Sequence, residues 1–143
     1  MILVFDSGLG GLTVFAGIAH LRPRADYVYV ADDAVFPYGR LEEPVLIARV
    51  RAVMEAMIAQ AQPDIVVIAC NTASTIALSQ LRERFKVPFV GTVPAIKPAA
   101  AQSKSHIIGV LATPGTVRRE YTHTLIHRSE EHTSELQSRL HLV

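Results

Sequence analysis

The sequence is short of cysteine and has no tryptophan: one cysteine, Cys70, stands in 143 residues. A lone thiol excludes an internal disulfide and a cysteine-built metal cluster. Neither sign of charge dominates, because 14 Lys+Arg face 13 Asp+Glu for a formal net charge of +1. That balance excludes a strong electrostatic hold on nucleic acid or on an acidic membrane face. No apolar run approaches the roughly 20 residues of a membrane helix. The opening Met1-Ile2-Leu3-Val4-Phe5-Asp6 has no basic region and reaches an acid too early for a signal peptide. The phosphate-binding patterns GxGxxG and GxxxxGK followed by Ser or Thr are also missing. What is left is the expectation of a cytoplasmic, enzyme-like domain with no nucleic-acid or membrane partner. Hydrophobic residues make up 50% of the chain, which excludes disorder for most of it.

The apolar residues come in runs. Ile2–Phe5, Tyr27–Ala31, Ile65–Ala69 and Ile107–Ala112 are rich in Val and Ile and alternate little. Such runs read as strands buried on both faces, hence a parallel sheet covered by helices. Pro88-Phe89-Val90 is a weaker fifth candidate, its proline suited to a strand start or an edge. Between the runs lie helical patterns: Gly11–His20, Glu42–Gln60, Thr72–Phe85, Pro94–Ser103 and Gly115–Ile126. The longest carries Val45, Leu46, Val50, Val53, Met54, Met57 and Ile58 in steps of three and four, with Arg49, Arg51 and Glu55 on other faces. Strand and helix in alternation predict an α/β fold with an open, mostly parallel sheet and helices on both faces. Ligand sites in such sheets lie at the carboxyl ends of the strands.

Polar loops occupy that rim. After the first strand comes Asp6-Ser7-Gly8-Leu9-Gly10-Gly11-Leu12-Thr13. Its glycines permit tight turns and close backbone approach, and the following helix start suits an anion. Asp6 would repel a phosphate but accept from an ammonium group. The plainer reading is a turn and helix cap. After the third strand comes Cys70-Asn71-Thr72-Ala73-Ser74, which sets the thiol at the positive end of a helix. An isolated cysteine is more often a small buried hydrophobe, but a strand end among polar neighbours argues otherwise. After the second strand, Asp32-Asp33 precedes Phe36-Pro37-Tyr38-Gly39-Arg40. Tyr38 and Gly39 could clasp a ligand through hydroxyl and amide, or form a turn with the ring used for packing. No second acidic or histidine cluster supports a metal at the Asp pair. The six histidines, including His123 and His127, read as surface residues. Ala112-Thr113-Pro114-Gly115-Thr116 and Gly91-Thr92-Val93-Pro94-Ala95-Ile96-Lys97 complete the rim. An exposed lysine such as Lys97 is usually solvated. Asp6, Tyr38 and Cys70 are expected to converge, because each follows a candidate parallel strand.

From Arg128 the composition changes to RSEEHTSELQSRLHLV, with no strand-like run. The stretch reads either as a frayed polar helix or as a non-native or disordered tail. SEEHTSELQSR is similar to translated sequencing adapter, which favours the latter and makes the chain an N-terminal piece of a longer protein.

Taken in order, FDSGLGGLTV, ADDAVFPYG, IACNTAS, VGTVPAIKPA and ATPGTV resemble the bacterial glutamate racemases of the aspartate/glutamate racemase family, from Ile2 to about Ile126. That resemblance implies two pseudo-symmetric α/β domains with the site between them: residues 1–96 as the first, 97–127 as an incomplete start of the second, and 128–143 as the tail. It implies cofactor-independent interconversion of L- and D-glutamate in the cytoplasm, supplying D-glutamate for peptidoglycan and so for cell-wall biogenesis and cell shape. The expected partner is the small-molecule substrate glutamate, with a homodimer for the full-length protein. By the same resemblance Cys70 is the first catalytic cysteine, acting on the D-enantiomer. Asp6 holds the substrate ammonium or assists Cys70. Ser7, Pro37, Tyr38, Gly39, Asn71 and Thr72 contact substrate, and Thr113 and Thr116 line the same cleft. The family's second cysteine, followed by Thr and His, has no counterpart among these residues. Aspartate racemases and single-cysteine arylmalonate decarboxylases share related folds and form one alternative. A non-enzymatic anion- or nucleotide-binding module using Gly8–Gly11 forms another.

Overall fold

Val- and Ile-rich runs can be buried on both faces only if helices cover both, and that is how the chain folds. A computed structural model describes residues 1–93, 95–105, 107–110 and 139–142. Strands β1 (Ile2–Asp6), β2 (Tyr27–Ala31), β3 (Ile65–Ile68) and β4 (Phe89–Gly91) form one sheet in the order β2-β1-β3-β4. Every pairing in it is parallel. Parallel neighbours need crossovers, and helices α1 (Leu12–Leu21), α2 (Glu43–Ala61) and α3 (Asn71–Arg84) supply them.

Side chains alternate across the strands and sort into two cores. Leu3, Phe5, Val66 and Ile68 pack with Leu46, Val50 and Met54 of α2 and with Ala73, Ala77 and Leu81 of α3. Val4, Val67 and Ala69 point the other way, against Val14, Phe15 and Ile18 of α1. The first core is the thicker one: α2 and α3 both contribute fully buried residues, whereas α1 contributes none. Helix α2 starts where Glu43 and Pro44 suit a first turn. It ends at Gln62, whose left-handed backbone (φ 47°) turns the chain before Pro63 can interrupt the helix.

Strand order sets the position of the rim. From β1 the chain moves outward to β2, then returns across β1 to build β3 and β4. The direction of winding therefore reverses between β1 and β3. At such a switch point the loops after neighbouring strands diverge to opposite faces and leave a crevice.

The chain forms two compact units, Met1–Val93 and Pro94–Val143. Helix α4 (Ile96–Gln102) lies in the second. In this unit β5 (Ile107–Val110) pairs in parallel with β6 (Arg139–Leu142), Ile107 opposite Arg139. The strand β6 corrects the expectation of a tail without strands. Arg139-Leu140-His141-Leu142 alternates polar and apolar residues, but four residues in a polar stretch make a weak signal. Its partner also lies far back in the chain. The helix expected at Gly115–Ile126 falls outside the described residues, as do Thr113, Thr116, His123 and His127. Among the described residues no helix is long and apolar enough to cross a membrane.

Truncating the α2 contact with the sheet tests the larger core. Leu46→Ala removes a fully buried side chain from under Phe5 and Ile68. It is expected to lower unfolding free energy by about 2–5 kcal/mol, measured by urea denaturation. A loss below about 0.5 kcal/mol would place Leu46 outside the core.

Candidate active site

Two strand ends build the site. β1 ends in Asp6, and β3 runs through Ala69 into Cys70. The strands lie in register, Phe5 opposite Ile68, and the Ala69 N–H donates to the Phe5 carbonyl at 2.7 Å. On the other side the Asp32 N–H donates to the Asp6 carbonyl at 2.9 Å. Asp6 is thus held between the ends of β2 and β3.

Cys70 caps α3. Its backbone is extended, and its sulfur accepts from the Ala73 N–H at 3.4 Å. The Ser7 hydroxyl lies 3.4 Å from the same sulfur. The thiol therefore has a peptide donor on one side and a hydroxyl on another, and is only 6% exposed. Ser74, in the first turn of α3, donates to the Ile68 carbonyl at 2.8 Å and accepts from the Thr92 N–H at 3.0 Å. That hydroxyl ties the start of α3 to the ends of β3 and β4, and so fixes the turn carrying Cys70.

Asp6 is bonded by its own turn. Its Oδ2 accepts from the Gly8 N–H at 3.2 Å and from the Gly11 N–H at 3.0 Å. The N–H groups of Leu12 and Thr13 turn to the carbonyls of Leu9 and Gly10. The N–H donors of Gly8, Gly11, Leu12 and Thr13 are thus already engaged within the turn, which argues against the anion-binding alternative. Of the two uses expected of the glycines, close approach is the one seen at Gly11. Among the described residues no glycine has positive φ, so the turn needs no left-handed glycine. Gly11 is needed for room instead, since a Cβ there would lie 2.8 Å from both the Ala69 and the Asp6 Cβ.

The Pro37–Gly39 segment reaches the site through a buried ring. Tyr38 is 1% exposed and packs with Phe5, Cys70 and Ala73. Its hydroxyl donates to Asp32 Oδ2 at 2.5 Å, so of the two readings the turn with a packed ring is the one seen. Arg49 Nε donates to the same Oδ2 at 2.8 Å, and its Nη2 pairs with Oδ1. The Arg49 hydrogen bonds hold the Asp32 carboxyl below the usual carboxylate range; burial opposes this, and the Tyr38 hydroxyl assists. Burial, then Asp32, pushes the Tyr38 phenol above its usual range. The Asp32 carboxylate, considered above for a metal, is therefore filled by protein donors. Arg49 was not among the candidate residues. The available signal was its spacing, three positions after Leu46 and four before Val53 on the long helix, but its partner lies outside that helix.

The structure brings Asp6, Ser7, Cys70 and Tyr38 together. Thr72 is buried in the first turn of α3 beside the cysteine, whereas Asn71 is exposed there. Pro37 precedes, and Gly39 lies within, a short 3-10 turn over Tyr38–Arg40, both half-buried. A thiol, a hydroxyl, a fixed carboxylate and a helix start at one strand crevice suit proton transfer at a small polar molecule.

Known proteins are similar to this chain in sequence and in fold. Residues 15–141 match the sequence pattern described as Asp/Glu/Hydantoin racemase. A glutamate racemase of Shewanella baltica is 58% identical over 125 residues, covering 87% of this chain and 46% of that relative. The crystal structure of Escherichia coli glutamate racemase in complex with L-glutamate and the activator UDP-MurNAc-Ala matches 99% of this chain and 52% of its own, at 46% identity and TM-score 0.90. The glutamate racemase of Francisella tularensis in complex with D-glutamate matches 99% and 51%, at 27% identity and TM-score 0.75. The chain thus spans about half the length of the proteins it matches.

Two substitutions test the local physics. Gly11→Ala adds a Cβ between two strand ends that cannot yield, and is expected to cost about 1–3 kcal/mol of stability in a thermal or urea melt. A neutral result would mean that the turn has slack. Arg49→Met leaves the buried Asp32 carboxylate short of donors, with an expected loss of about 1–3 kcal/mol at pH 7. The folded carboxyl is depressed, so its contribution is full above the unfolded value near 4 and disappears as pH falls through the folded one. Urea midpoints of wild type and variant should therefore converge between pH 5 and pH 2, as a rough window. A gap unchanged by acid would show that Arg49 acts through packing.

Proposed function

The chain belongs to the Asp/Glu/Hydantoin racemase family, and from that premise we propose that it carries one proton-transfer half of a glutamate racemase. The observation that carries this reading is the Cys70 thiol, capped by the Ala73 N–H and met by Ser7 where β1 and β3 part. The likeness to glutamate racemases that bind L- or D-glutamate supports the choice of substrate.

Racemisation removes the α-proton from one face of the carbon and returns a proton to the other. Two acid/base groups on opposite faces accomplish this without turning the substrate. In this reading the Cys70 thiolate takes the α-proton of D-glutamate and becomes a thiol. A second thiol gives its proton to the opposite face of the resulting carbanion, which yields L-glutamate. The sequence holds no other cysteine, so these residues alone serve one face. Asp6, fixed by two peptide donors, supplies negative charge suited to the substrate ammonium. With the Tyr38 hydroxyl engaged, Tyr38 and Gly39 contact substrate through the main chain, next to Pro37. Asn71 and Thr72 offer side-chain groups beside the sulfur, and the likeness to the family adds Thr113 and Thr116, which lie outside the described residues. Donors aimed at the substrate carboxylate stabilise the carbanionic transition state. The product role is cytoplasmic supply of D-glutamate for peptidoglycan.

Purified chain, incubated with D- and L-glutamate in deuterium oxide, tests the reading. The expected outcome is slow α-deuteration of D-glutamate with retention, abolished by Cys70→Ser. Racemisation should run about 10²–10⁴-fold below that of a two-thiol relative, the contribution of one proton-transfer group. Deuteration that survives Cys70→Ser would refute Cys70 as the base. Racemisation near a relative's rate, lost in Cys70→Ser, would show a second base within these residues.

A further inference from the structure

Two tyrosines sit on β2, two residues apart and on the same face of the sheet. Both rings pack edge-on against Phe15 of α1, with centroids 5.3 Å away for Tyr27 and 5.9 Å for Tyr29. Each hydroxyl reaches a backbone carbonyl. Tyr27 donates to the Arg22 carbonyl at 2.7 Å and reaches the Ile18 carbonyl at 3.4 Å, both at the end of α1 remote from the rim. Tyr29 donates to the Gly8 carbonyl at 3.2 Å, inside the turn that carries Asp6 and Ser7. The Gly8 residue is thereby gripped at both ends, its N–H by Asp6 Oδ2 and its C=O by Tyr29. The phenol is also wedged at the strand junction, since a Cβ on Gly11 would lie 3.0 Å from the Tyr29 oxygen.

We propose that Tyr29 is a positioning residue for the thiol site, its hydroxyl holding the Gly8 peptide so that Ser7 stays against the Cys70 sulfur. Burial raises the phenol above its usual range, and negative charge at Asp6 and Cys70 raises it further, so the hydroxyl keeps the proton that it donates. The turn's other hydrogen bonds come from within the β1–α1 segment, from Asp6 Oδ2 and between Leu12 and Thr13 and the Leu9 and Gly10 carbonyls. Tyr29 ties the turn to β2, while the Leu9 side chain is 71% exposed. Losing the phenolic oxygen frees the Gly8 carbonyl and lets the Ser7 hydroxyl leave the sulfur. As it concerns catalysis, the proposal rests on the racemase reading; as it concerns the environment of the thiol, it does not.

Tyr27 provides an internal control, with the same ring, neighbour and kind of bond but no route to the rim. The test compares Tyr29→Phe with Tyr27→Phe in the whole chain. The readouts are thermal stability, the rate of Cys70 carboxamidomethylation by iodoacetamide across pH, and kcat and KM for α-deuteration of D-glutamate. Both variants should lose a similar, small amount of stability, about one hydrogen bond each. Only Tyr29→Phe should alter the alkylation rate, by about threefold to tenfold, the equivalent of that one bond. It should also lower kcat by a similar factor with KM little changed. Equal effects of the two variants on alkylation, or no effect of Tyr29→Phe, would overturn the positioning role. If wild type deuterates nothing, the racemase reading fails by itself, and the alkylation comparison still decides the role of Tyr29.

Discussion

The parallel pairing of β1 with both β2 and β3 is the constraint on which the site depends. Because β1 lies inside the sheet, its end cannot move without breaking ladders on two sides, through Asp32 N–H on one and Ala69 N–H on the other. Asp6 and Cys70 belong to segments 64 positions apart in sequence, and they become neighbours only through that pairing. The order β2-β1-β3-β4 then opens a crevice between them, since the crossovers after β1 and β3 pass over opposite faces. No local preference of either loop could bring the Ser7 hydroxyl to the Cys70 sulfur.

Around this junction polar groups are held by internal partners. The Asp6 carboxylate takes donors that a helix start would otherwise offer to a ligand, and the Asp32 carboxylate takes Tyr38 and Arg49. Each arrangement costs desolvation of a charge and is tolerable only with several hydrogen bonds in place. The return is rigidity. The turn after β1 and the turn after β2 are both held by buried carboxylates, while Ser74 holds the turn after β3. A thiol that must meet a carbon acid in one orientation is served by walls of this kind, because misplacement of the reacting atoms costs rate steeply.

The amino-acid sequence by itself determined the class of fold. Runs such as Ile2–Phe5 and Ile65–Ala69 can be buried on both sides only in a helix-covered parallel sheet, and the spacing of Val50, Met54 and their neighbours leaves no alternative to a helix. These are one-dimensional patterns, and the observed elements start or end within about two residues of the expected ones. The rim loops were legible for the same reason, since a polar Asp6-Ser7 or Cys70-Asn71 directly after an apolar run must lie at a strand end. Tertiary structure decided what each polar atom meets. Tyr38 turned inward because Asp32 could accept its hydroxyl, and Arg49 joined them across 17 positions. Gly11 proved to need space rather than a special φ, because two strand ends converge on it. The strand β6 is not legible along the chain, because its four residues become a strand only beside β5, far back in the sequence. Periodicity along a chain reports how much apolar surface each segment must hide; partners for single polar atoms depend on distances that exist only after the segments have packed.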